Sequence, residues 1–462
     1  MSSTTKNPTR GYMILALDFL LFLALIKTLP FTPMENRGLA LLVFIGILWL
    51  TEAFNITVTS LMVPILAIGL NVLPTKAAFA PFSEPIIFMF FGGFVLAAVM
   101  NIQKLDLWIA NHIIRLARRN LKLTVLYLFV ATAGLSLFIN NTAVAAMMLP
   151  LTLGILKKVD LKTNRALYVF VLLGVAFSAS IGGIGTLTGS APNAILASQL
   201  KITFSEWLFY GMPVAILLMI GMVFSLLIVL RPNFNVPFEI SLEEIPLTSK
   251  RKITLAVFVI AAFFLVFGSW LEPFIRSALE LSQPIKNFDA VVAMTAVIIL
   301  CITHTATWSE IQDRTEWGVL MLFGGGLVLG IVLKETGASK ILADTIVNYI
   351  GVQHWLVMTL VLTAFIIFLT EFTSNTATAA LMTPIFISVA EGLGLPPVSL
   401  AAIVACSASC AFMLPIATPP NAIVFSTGYI KQSEMVKVGF ILNIISTVVI
   451  GGLTYFFWIN WH

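Results

Sequence analysis

The chain has 462 residues, of which 59% are hydrophobic and only 10% are charged. A soluble globular protein carries about 25% charged residues, because its surface faces water. The composition therefore excludes ordinary soluble domains and predicts an all-α polytopic membrane protein embedded in a lipid bilayer. The three cysteines lie in apolar stretches, which excludes a disulfide framework, and the net charge of +5 is too small and scattered to indicate nucleic-acid binding.

Apolar runs divide the chain into about eleven transmembrane helices, since a bilayer core about 30 Å thick needs about 20 apolar residues. The first run follows a polar N-terminus and has no small-residue cleavage site, so residues 1–30 are interpreted as a tail and a retained helix. The predicted spans are 11–30, 38–55, 56–73, 85–101, 165–200, 207–230, 253–275, 287–306, 316–333, 398–430 and 436–459.

Two further pairs of apolar arms are too short to cross the bilayer. They are 123–138 with 143–156, and 354–370 with 377–391, and each pair is joined by a polar, uncharged tip. Arms of about 14–17 residues reach only about 21–26 Å. We therefore expect two re-entrant hairpins, 123–156 and 354–391, with their tips inside protein or a water-filled cavity.

The basic residues predict how the chain is oriented in the membrane. With the N-terminus inside, 18 of the 26 Lys and Arg residues fall in cytoplasmic segments and 8 in external ones. Cytoplasmic loops are enriched in Lys and Arg. The expected location is the plasma membrane (the bacterial inner membrane), with a cytoplasmic N-terminus and an external C-terminus.

Three local patterns occur twice at nearly constant spacing. Phe91-Gly92-Gly93 recurs as Phe323-Gly324-Gly325, Asn141-Thr142-Ala143 as Asn375-Thr376-Ala377, and Pro192-Asn193-Ala194-Ile195 as Pro420-Asn421-Ala422-Ile423. The offsets are 232, 234 and 228 residues. Because an odd number of spans separates the copies, equivalent elements would run in opposite directions. Such inverted-topology repeats are typical of secondary transporters, which bind substrate at broken helices near the midplane.

The repeats would comprise residues 31–235, with a broken helix at 165–200, and residues 236–462, with a broken helix at 398–430. The first break is expected at 182–193, where four Gly and one Pro occur within twelve residues, and the second at 415–421. Unwound backbone at membrane depth is tolerated only where it is buried in protein or lines a cavity.

Each hairpin tip combines chemistry for a cation and for an anion. The tips are residues 136–142 and 370–376, and helices that stop there leave carbonyls from one arm and N–H groups from the other. Oxygen ligands suit Na⁺, and helix N-termini suit a carboxylate. Capping of the arms by Ser, Asn and Thr is the alternative explanation. No Lys or Arg occurs in either tip or break, so bound Na⁺ would have to balance a dianion.

These residues resemble the divalent anion/sodium symporter family, which includes bacterial sodium/dicarboxylate symporters and sodium-coupled citrate and sulfate transporters. The family has a Ser-Asn-Thr triplet at each tip, matched by Ser374-Asn375-Thr376, with helix breaks like Gly-Ser-Ala-Pro-Asn and Thr-Pro-Pro-Asn. The first triplet departs from this pattern, since it reads Asn140-Asn141-Thr142. Asn keeps an oxygen ligand but is bulkier and adds an amide donor.

The resemblance implies a set of binding residues and a mode of transport. The first sodium site would use Ser136, Asn140, Asn141 and Gly189, and the second Thr370, Thr373, Asn375 and Ala417. Substrate carboxylates would meet Asn141, Thr142, Ser190, Ser374, Asn375, Thr376, Thr418 and Pro419. The protein would be a homodimer in which a transport domain (123–231 plus 354–460) slides against a scaffold (11–122 plus 252–350), as in an elevator.

The resulting hypothesis is sodium-coupled symport of C4 dicarboxylates such as succinate, malate and fumarate, without an organic cofactor. Citrate, sulfate or another divalent anion, a proton-coupled carrier or dicarboxylate exchanger of the same architecture, and a channel remain alternatives. An enzyme is not expected, because there is no His-Glu-x-x-His motif and the four histidines are dispersed. Glu371 either orients the second tip or senses the cavity, or is a buried carboxylate bonded to the backbone of its own hairpin.

Overall fold

The computed structural model describes residues 8–117, 120–157, 159–236, 244–350 and 354–459, and these ranges contain helices and no strand. The helices are α1 Pro8–Thr28, α2 Pro33–Thr51, α3 Ile56–Gly69, α4 Thr75–Phe79, α5 Pro85–Ile102, α6 Leu105–Arg115, α7 Leu121–Ser136, α8 Asn141–Leu156, α9 Arg165–Ile184, α10 Ala191–Leu200, α11 Phe204–Leu230, α12 Ser249–Ala278, α13 Phe288–Ile302, α14 Trp308–Arg314, α15 Trp317–Thr336, α16 Ala338–Ile350, α17 Trp355–Phe372, α18 Asn375–Gly392, α19 Pro397–Ser407, α20 Pro419–Phe425 and α21 Gln432–Leu453. A 3₁₀ turn, Ala80–Ser83, joins α4 to α5, and a π turn, Thr454–Trp458, follows α21.

Nine apolar helical segments within the described ranges are long enough to cross a membrane. They are Thr9–Thr28, Pro33–Thr51, Thr75–Ile102, Arg165–Ile184, Phe204–Leu230, Ser249–Ala278, Trp317–Thr336, Trp355–Phe372 and Gln432–Trp458. The prediction of an all-helical, multi-pass membrane protein is confirmed. Helices α3, α13 and α19, where the sequence predicts spans, are shorter apolar helices, and α17, predicted as a hairpin arm, is long enough to span.

Both predicted hairpins form as pairs of adjacent helices, and both long helices are interrupted. The first hairpin is α7 and α8, and the second is α17 and α18. Residues 185–190 separate α9 from α10, and residues 408–418 separate α19 from α20. Helix α10 carries Pro192 in its first turn, and α20 begins with Pro419 and Pro420. Proline is tolerated there because the N–H groups of a first turn have no partner within the helix.

Helix α9 is the centre of the bundle, because its whole span is buried, whereas only 11% of the first helix's span is buried. It packs against α7, α8 and α11. A Cβ added to Gly182 would overlap the carbonyl oxygen of Ala133, so the backbones of α7 and α9 are in direct contact. Small residues permit such contacts in membrane helices. The first hairpin therefore packs closely against the broken helix that follows it in the chain.

Candidate functional site

One cavity of about 840 Å³ lies where both hairpin tips meet both helix interruptions. Every residue predicted to bind substrate lines it, namely Asn141, Thr142, Ser190, Ser374, Asn375, Thr376, Thr418 and Pro419. The predicted sodium ligands that also line it are Asn140, Asn141, Gly189, Thr373, Asn375 and Ala417. Ser136 and Thr370 are fully buried and reach the cavity only through their contacts with the two tip asparagines.

At the first tip, several oxygen atoms converge on the side chain of Asn141. Oγ of Ser136 lies 2.6 Å from Oδ1 of Asn141 and 2.6 Å from the carbonyl oxygen of Ala179. The same amide atom lies 3.0 Å from the Ala179 oxygen and 3.2 Å from that of Gly189. If this amide atom is Nδ2, it donates to the Ser136, Ala179 and Gly189 oxygens. If it is Oδ1, the four atoms form a cluster of four oxygens. The Asn141 amide can therefore take part either in a hydrogen-bonded network, with its nitrogen facing these oxygens, or in an all-oxygen site, with its oxygen facing them.

The second tip repeats this arrangement with different residues. Oγ1 of Thr370 lies 2.8 Å from Oδ1 of Asn375 and 2.9 Å from the carbonyl oxygen of Ala408. Thr370 thus takes the place of Ser136, Asn375 of Asn141, and Ala408 of Ala179. A hydroxyl has one proton for these two acceptors, so the second tip gathers more oxygen lone pairs than protons, as the first tip does when the Asn141 oxygen faces its cluster. Such oxygen-rich groups suit a hard cation.

Backbone carbonyls complete the first cluster. A Cβ added to Gly189 would lie 2.7 Å from the carbonyl oxygens of both Ser136 and Gly183. A Cβ added to Gly183 would overlap the side-chain amide of Asn141 and would lie 2.9 Å from the Gly189 oxygen. Gly183, in the last turn of α9, and Gly189, in the interruption, are therefore required here for close approach of backbone oxygens.

The repeated Pro-Asn pairs hold the unwound segments in place. Nδ2 of Asn193 donates to the carbonyls of Gly183 (2.9 Å), Ile184 (3.2 Å) and Thr186 (2.7 Å). Nδ2 of Asn421 donates to Ala411 (3.0 Å) and Leu414 (3.1 Å), and both asparagines are fully buried. Carbonyls freed by unwinding would otherwise be buried without partners. The motif's repetition thus has a structural reason.

Capping explains part of the tip chemistry and not all of it. Asn140, at the position where the tip departs from the family triplet, is exposed, and its Oδ1 accepts a hydrogen bond from the N–H of Thr142 at 2.8 Å. Ser374 holds the same position before α18, yet its side chain makes no capping hydrogen bond. The hydroxyl of Ser374 therefore remains available to a ligand in the cavity, whereas the oxygen of Asn140 is engaged.

Glu371 binds the second interruption, so the alternative in which it bonds to the backbone of its own hairpin is wrong. Its side chain is 1% exposed. Oε1 accepts from the N–H groups of Phe412 and Met413 and from Nδ2 of Asn443, each at 2.8 Å, and Oε2 accepts from the N–H of Leu414 at 3.1 Å. These donors belong to the unwound segment and to α21. The carboxylate orients residues 412–414, and it also forms part of the cavity wall.

Two buried serines beside this site were not predicted from the sequence. Ser180 contributes to the cavity wall, and Ser409 lies 2.9 Å from Ser190, oxygen to oxygen. Each follows the alanine whose carbonyl accepts from the tip hydroxyl. The signal was present, because Ser178-Ala179-Ser180 recurs as Ser407-Ala408-Ser409 at an offset of 229, within the range of the other repeats.

The charged residues lining the cavity are all acidic. They are Glu52, Glu316 and Glu371, and none of the lining residues, all of which the structure describes, is Lys, Arg or His. Glu371 already accepts four hydrogen bonds. A dianion that enters this cavity therefore meets hydroxyls, amides and helix N-termini, without a fixed cation.

Comparison with known proteins identifies relatives along nearly the whole chain. A family model described as citrate transporter matches residues 46–394 and 290–462. An uncharacterized transporter of Haemophilus influenzae is 54% identical over 448 residues, covering 97% of each chain. The sodium-dependent dicarboxylate transporter SdcS of Staphylococcus saprophyticus is 32% identical over 502 aligned positions, covering 99% of this chain and 94% of the relative.

Two solved structures share the fold at low sequence identity. The YdaH transporter of Alcanivorax borkumensis matches with a TM-score of 0.56 and 13% identity, covering 98% of each chain. MtrF of Neisseria gonorrhoeae, described as an antimetabolite efflux pump, matches with a TM-score of 0.58 and 12% identity, covering 99% of this chain and 96% of that one. With these relatives, the chain is a transporter rather than an enzyme. It belongs to the family that the citrate-transporter model describes and is related to the SdcS proteins, as its resemblance to the divalent anion/sodium symporters predicted.

Proposed function

We propose that the protein is a sodium-coupled symporter of C4 dicarboxylates such as succinate, malate and fumarate. The observation that carries this proposal is the cavity itself, in which two oxygen-rich hairpin tips face a space without any basic side chain. Relatives named sodium-dependent dicarboxylate transporters support the choice of cation and substrate. No organic cofactor is required, because the cargo ions and the chain's own groups supply all the binding chemistry.

The charge of the cavity provides the coupling. Removing an ionised carboxylate from water without compensation is costly. Glu316 and Glu371 add negative charge to the wall, so the empty cavity repels a dianion. Na⁺ ions bound beside Asn141 and Asn375 would reverse this balance and place positive charge next to the N-terminal ends of α8 and α18, which themselves favour anions. Binding of the dicarboxylate then depends on prior binding of sodium.

Uptake by the purified protein in liposomes tests this coupling. We expect saturable succinate uptake that follows an inward sodium gradient and negligible succinate binding when choline replaces sodium. Tight binding of succinate in sodium-free buffer would overturn the coupling mechanism. Rapid ion flux without any organic anion would indicate a channel instead.

Substitution of the tip asparagines tests the site assignment. Asn141→Ala or Asn375→Ala removes one cation ligand and one group facing the substrate, so each variant should lose uptake while remaining folded. Asn120→Ala is a matched control, because Asn120 caps α7 of the same hairpin, with its Oδ1 3.1 Å from the N–H of Leu123, and does not line the cavity. Loss of that cap costs about 1 kcal/mol and should leave uptake intact. Near-normal uptake by both tip variants would refute the assignment.

Citrate is the second candidate substrate, because the matching family model is described as citrate transporter. The volume of about 840 Å³ accommodates either acid, so size alone does not separate them. Competition of labelled succinate with malate, fumarate, citrate and sulfate ranks the substrates. Counterflow of dicarboxylate in sodium-free liposomes would favour an exchanger over a symporter.

We further propose an elevator-type movement of the transport domain (123–231 plus 354–460) against the scaffold (11–122 plus 252–350), in a homodimer. Contacts across this boundary include an apolar one, the rings of Phe138 and Phe258 at 5.0 Å. Polar contacts gather where α11 begins. Asp289 accepts from the N–H of Phe204 at 2.8 Å, Lys201 and Glu84 form an ion pair at 3.9 Å, and the hydroxyls of Ser205 and Ser269 lie 3.1 Å apart. Among the described residues, these polar contacts across the boundary lie together at the start of α11, and such a local set of contacts can break and re-form as one domain slides past the other.

A further inference from the structure

Ser409 and Ser190 form a hydrogen bond between the two halves of the chain, across 219 residues of sequence. Their hydroxyl oxygens are 2.9 Å apart. Ser190 directly precedes α10 and lines the cavity, and its side chain does not cap the helix. Ser409 lies in the interruption between α19 and α20, is completely buried and does not line the cavity.

The burial of Ser409 determines the direction of this hydrogen bond. Either hydroxyl could donate, but the Ser190 oxygen is the only acceptor that the described residues offer to the Ser409 side chain. A buried donor left without a partner is costly. Ser409 therefore donates to Ser190, and the proton of Ser190 remains free for an acceptor inside the cavity. When hydrogen bonds are linked in series, the bond from Ser409 to Ser190 polarises the Ser190 hydroxyl and strengthens the bond that this hydroxyl donates to the acceptor in the cavity.

The equivalent serine of the other repeat makes no such bond. Ser180 corresponds to Ser409, and its Oγ is buried without a hydrogen-bond partner. Thr418, which corresponds to Ser190, instead accepts a hydrogen bond from the N–H of Asn421 at 3.3 Å. The two sides of the cavity therefore differ, because the hydroxyl of Ser190 is oriented by a hydrogen bond from a buried serine, whereas that of Thr418 is bound by a backbone N–H.

We propose that Ser409 is a positioning residue for the transported anion. Its hydroxyl donates to Ser190 and turns the Ser190 O–H towards a carboxylate oxygen of the bound substrate. This inference rests on the proposed function, since it assumes that an anionic carboxylate occupies the cavity. Ser409 touches neither the substrate nor a cation, so its effect must pass through Ser190.

The test is a double-mutant cycle on succinate uptake in liposomes. A single neutral hydrogen bond corresponds to about a 2- to 12-fold change in affinity, so Ser409→Ala should raise the KM for succinate by that factor. The maximal rate and the sodium dependence should stay within twofold of the wild type, which a general loss of structure would not allow. In a Ser190→Ala background, the same substitution should have no further effect.

The control is Ser178→Ala, which alters a buried serine of the same repeated motif. Its Oγ lies 3.6 Å from the sulfur of Met222, away from the cavity, so KM should not change. Ser409→Cys, which keeps a weak donor of similar size, should give an intermediate KM. It replaces Ser409→Ala in the KM measurement if the alanine variant does not fold.

The outcomes distinguish failure of the proposed transport function from failure of the positioning role of Ser409. Wild-type protein that transports none of the carboxylates refutes the proposed function and this inference with it. Wild-type transport together with an unchanged KM in Ser409→Ala, or with additive effects of the two substitutions, refutes the positioning role alone.

Discussion

Replacing Gly189 by alanine perturbs the carbonyl cluster at the first hairpin tip in a defined way. The added methyl carbon would lie 2.7 Å from the carbonyl oxygens of Ser136 and Gly183 and 2.9 Å from the Cα of Gly183. Ordinary C···O contacts begin at about 3.3 Å. Because all three contacts involve backbone, no side-chain rotation relieves them, and the oxygens around Asn141 must move apart by about 0.6 Å.

The size of the effect follows from the cost of inserting a methyl group into packed structure, about 1–3 kcal/mol. If the strain is relieved by displacing the cation ligands, the apparent affinity for sodium falls by about 5- to 150-fold, since about 1.4 kcal/mol corresponds to a factor of ten. The second repeat has Ala417 at the equivalent position, so a methyl group is accommodated there and Ala417→Gly should have little effect on sodium dependence.

Sodium activation curves of succinate uptake measure this change in wild type, Gly189→Ala and a matched glycine variant. Gly134→Ala is the control, because it lies in α7 of the same hairpin and a Cβ there meets no atom within 4 Å. It should leave transport unchanged and stabilise the helix slightly, by about 0.5–1 kcal/mol. An unaltered sodium activation curve for Gly189→Ala would refute the idea that these carbonyls form a cation site.

The remaining predictions concern three other features. Glu371→Gln should reduce the free energy of unfolding by about 1.5–3 kcal/mol, because hydrogen bonds to a charged group are lost, and an unchanged denaturation midpoint would contradict the anchoring role. Asn140→Ser keeps a cap for α8 and should retain uptake, whereas Asn140→Ala should lower stability by about 1 kcal/mol in the same denaturation assay. In a background without native cysteines, the double substitution Glu84→Cys with Lys201→Cys should lose uptake when the two thiols are joined by a short cross-linker that contains a disulfide. Uptake should recover when the disulfide is reduced, and uptake that continues while the thiols are cross-linked would argue against the elevator movement.

Several properties of this protein follow from the sequence alone. Low charge and long apolar runs require a membrane environment, and the Gly and Pro clusters at 182–192 and 415–420 require helix interruptions, because no continuous helix tolerates them. The duplicated asparagines at the tips identified the residues that line the central cavity. Local chemistry and periodicity determine these features, so they can be predicted without a structure.

Tertiary structure decided which distant groups meet. The partners of Glu371 lie 41 to 43 and 72 residues further along, the Thr370 hydroxyl meets Ala408, and Ser190 meets Ser409 across the two repeats. Even at Asn140, only the folded tip shows that its oxygen is engaged by a backbone N–H. A hydrogen bond depends on positions to within a few tenths of an ångström, and helix packing sets those positions, whereas sequence spacing sets only the face of a helix on which a residue lies.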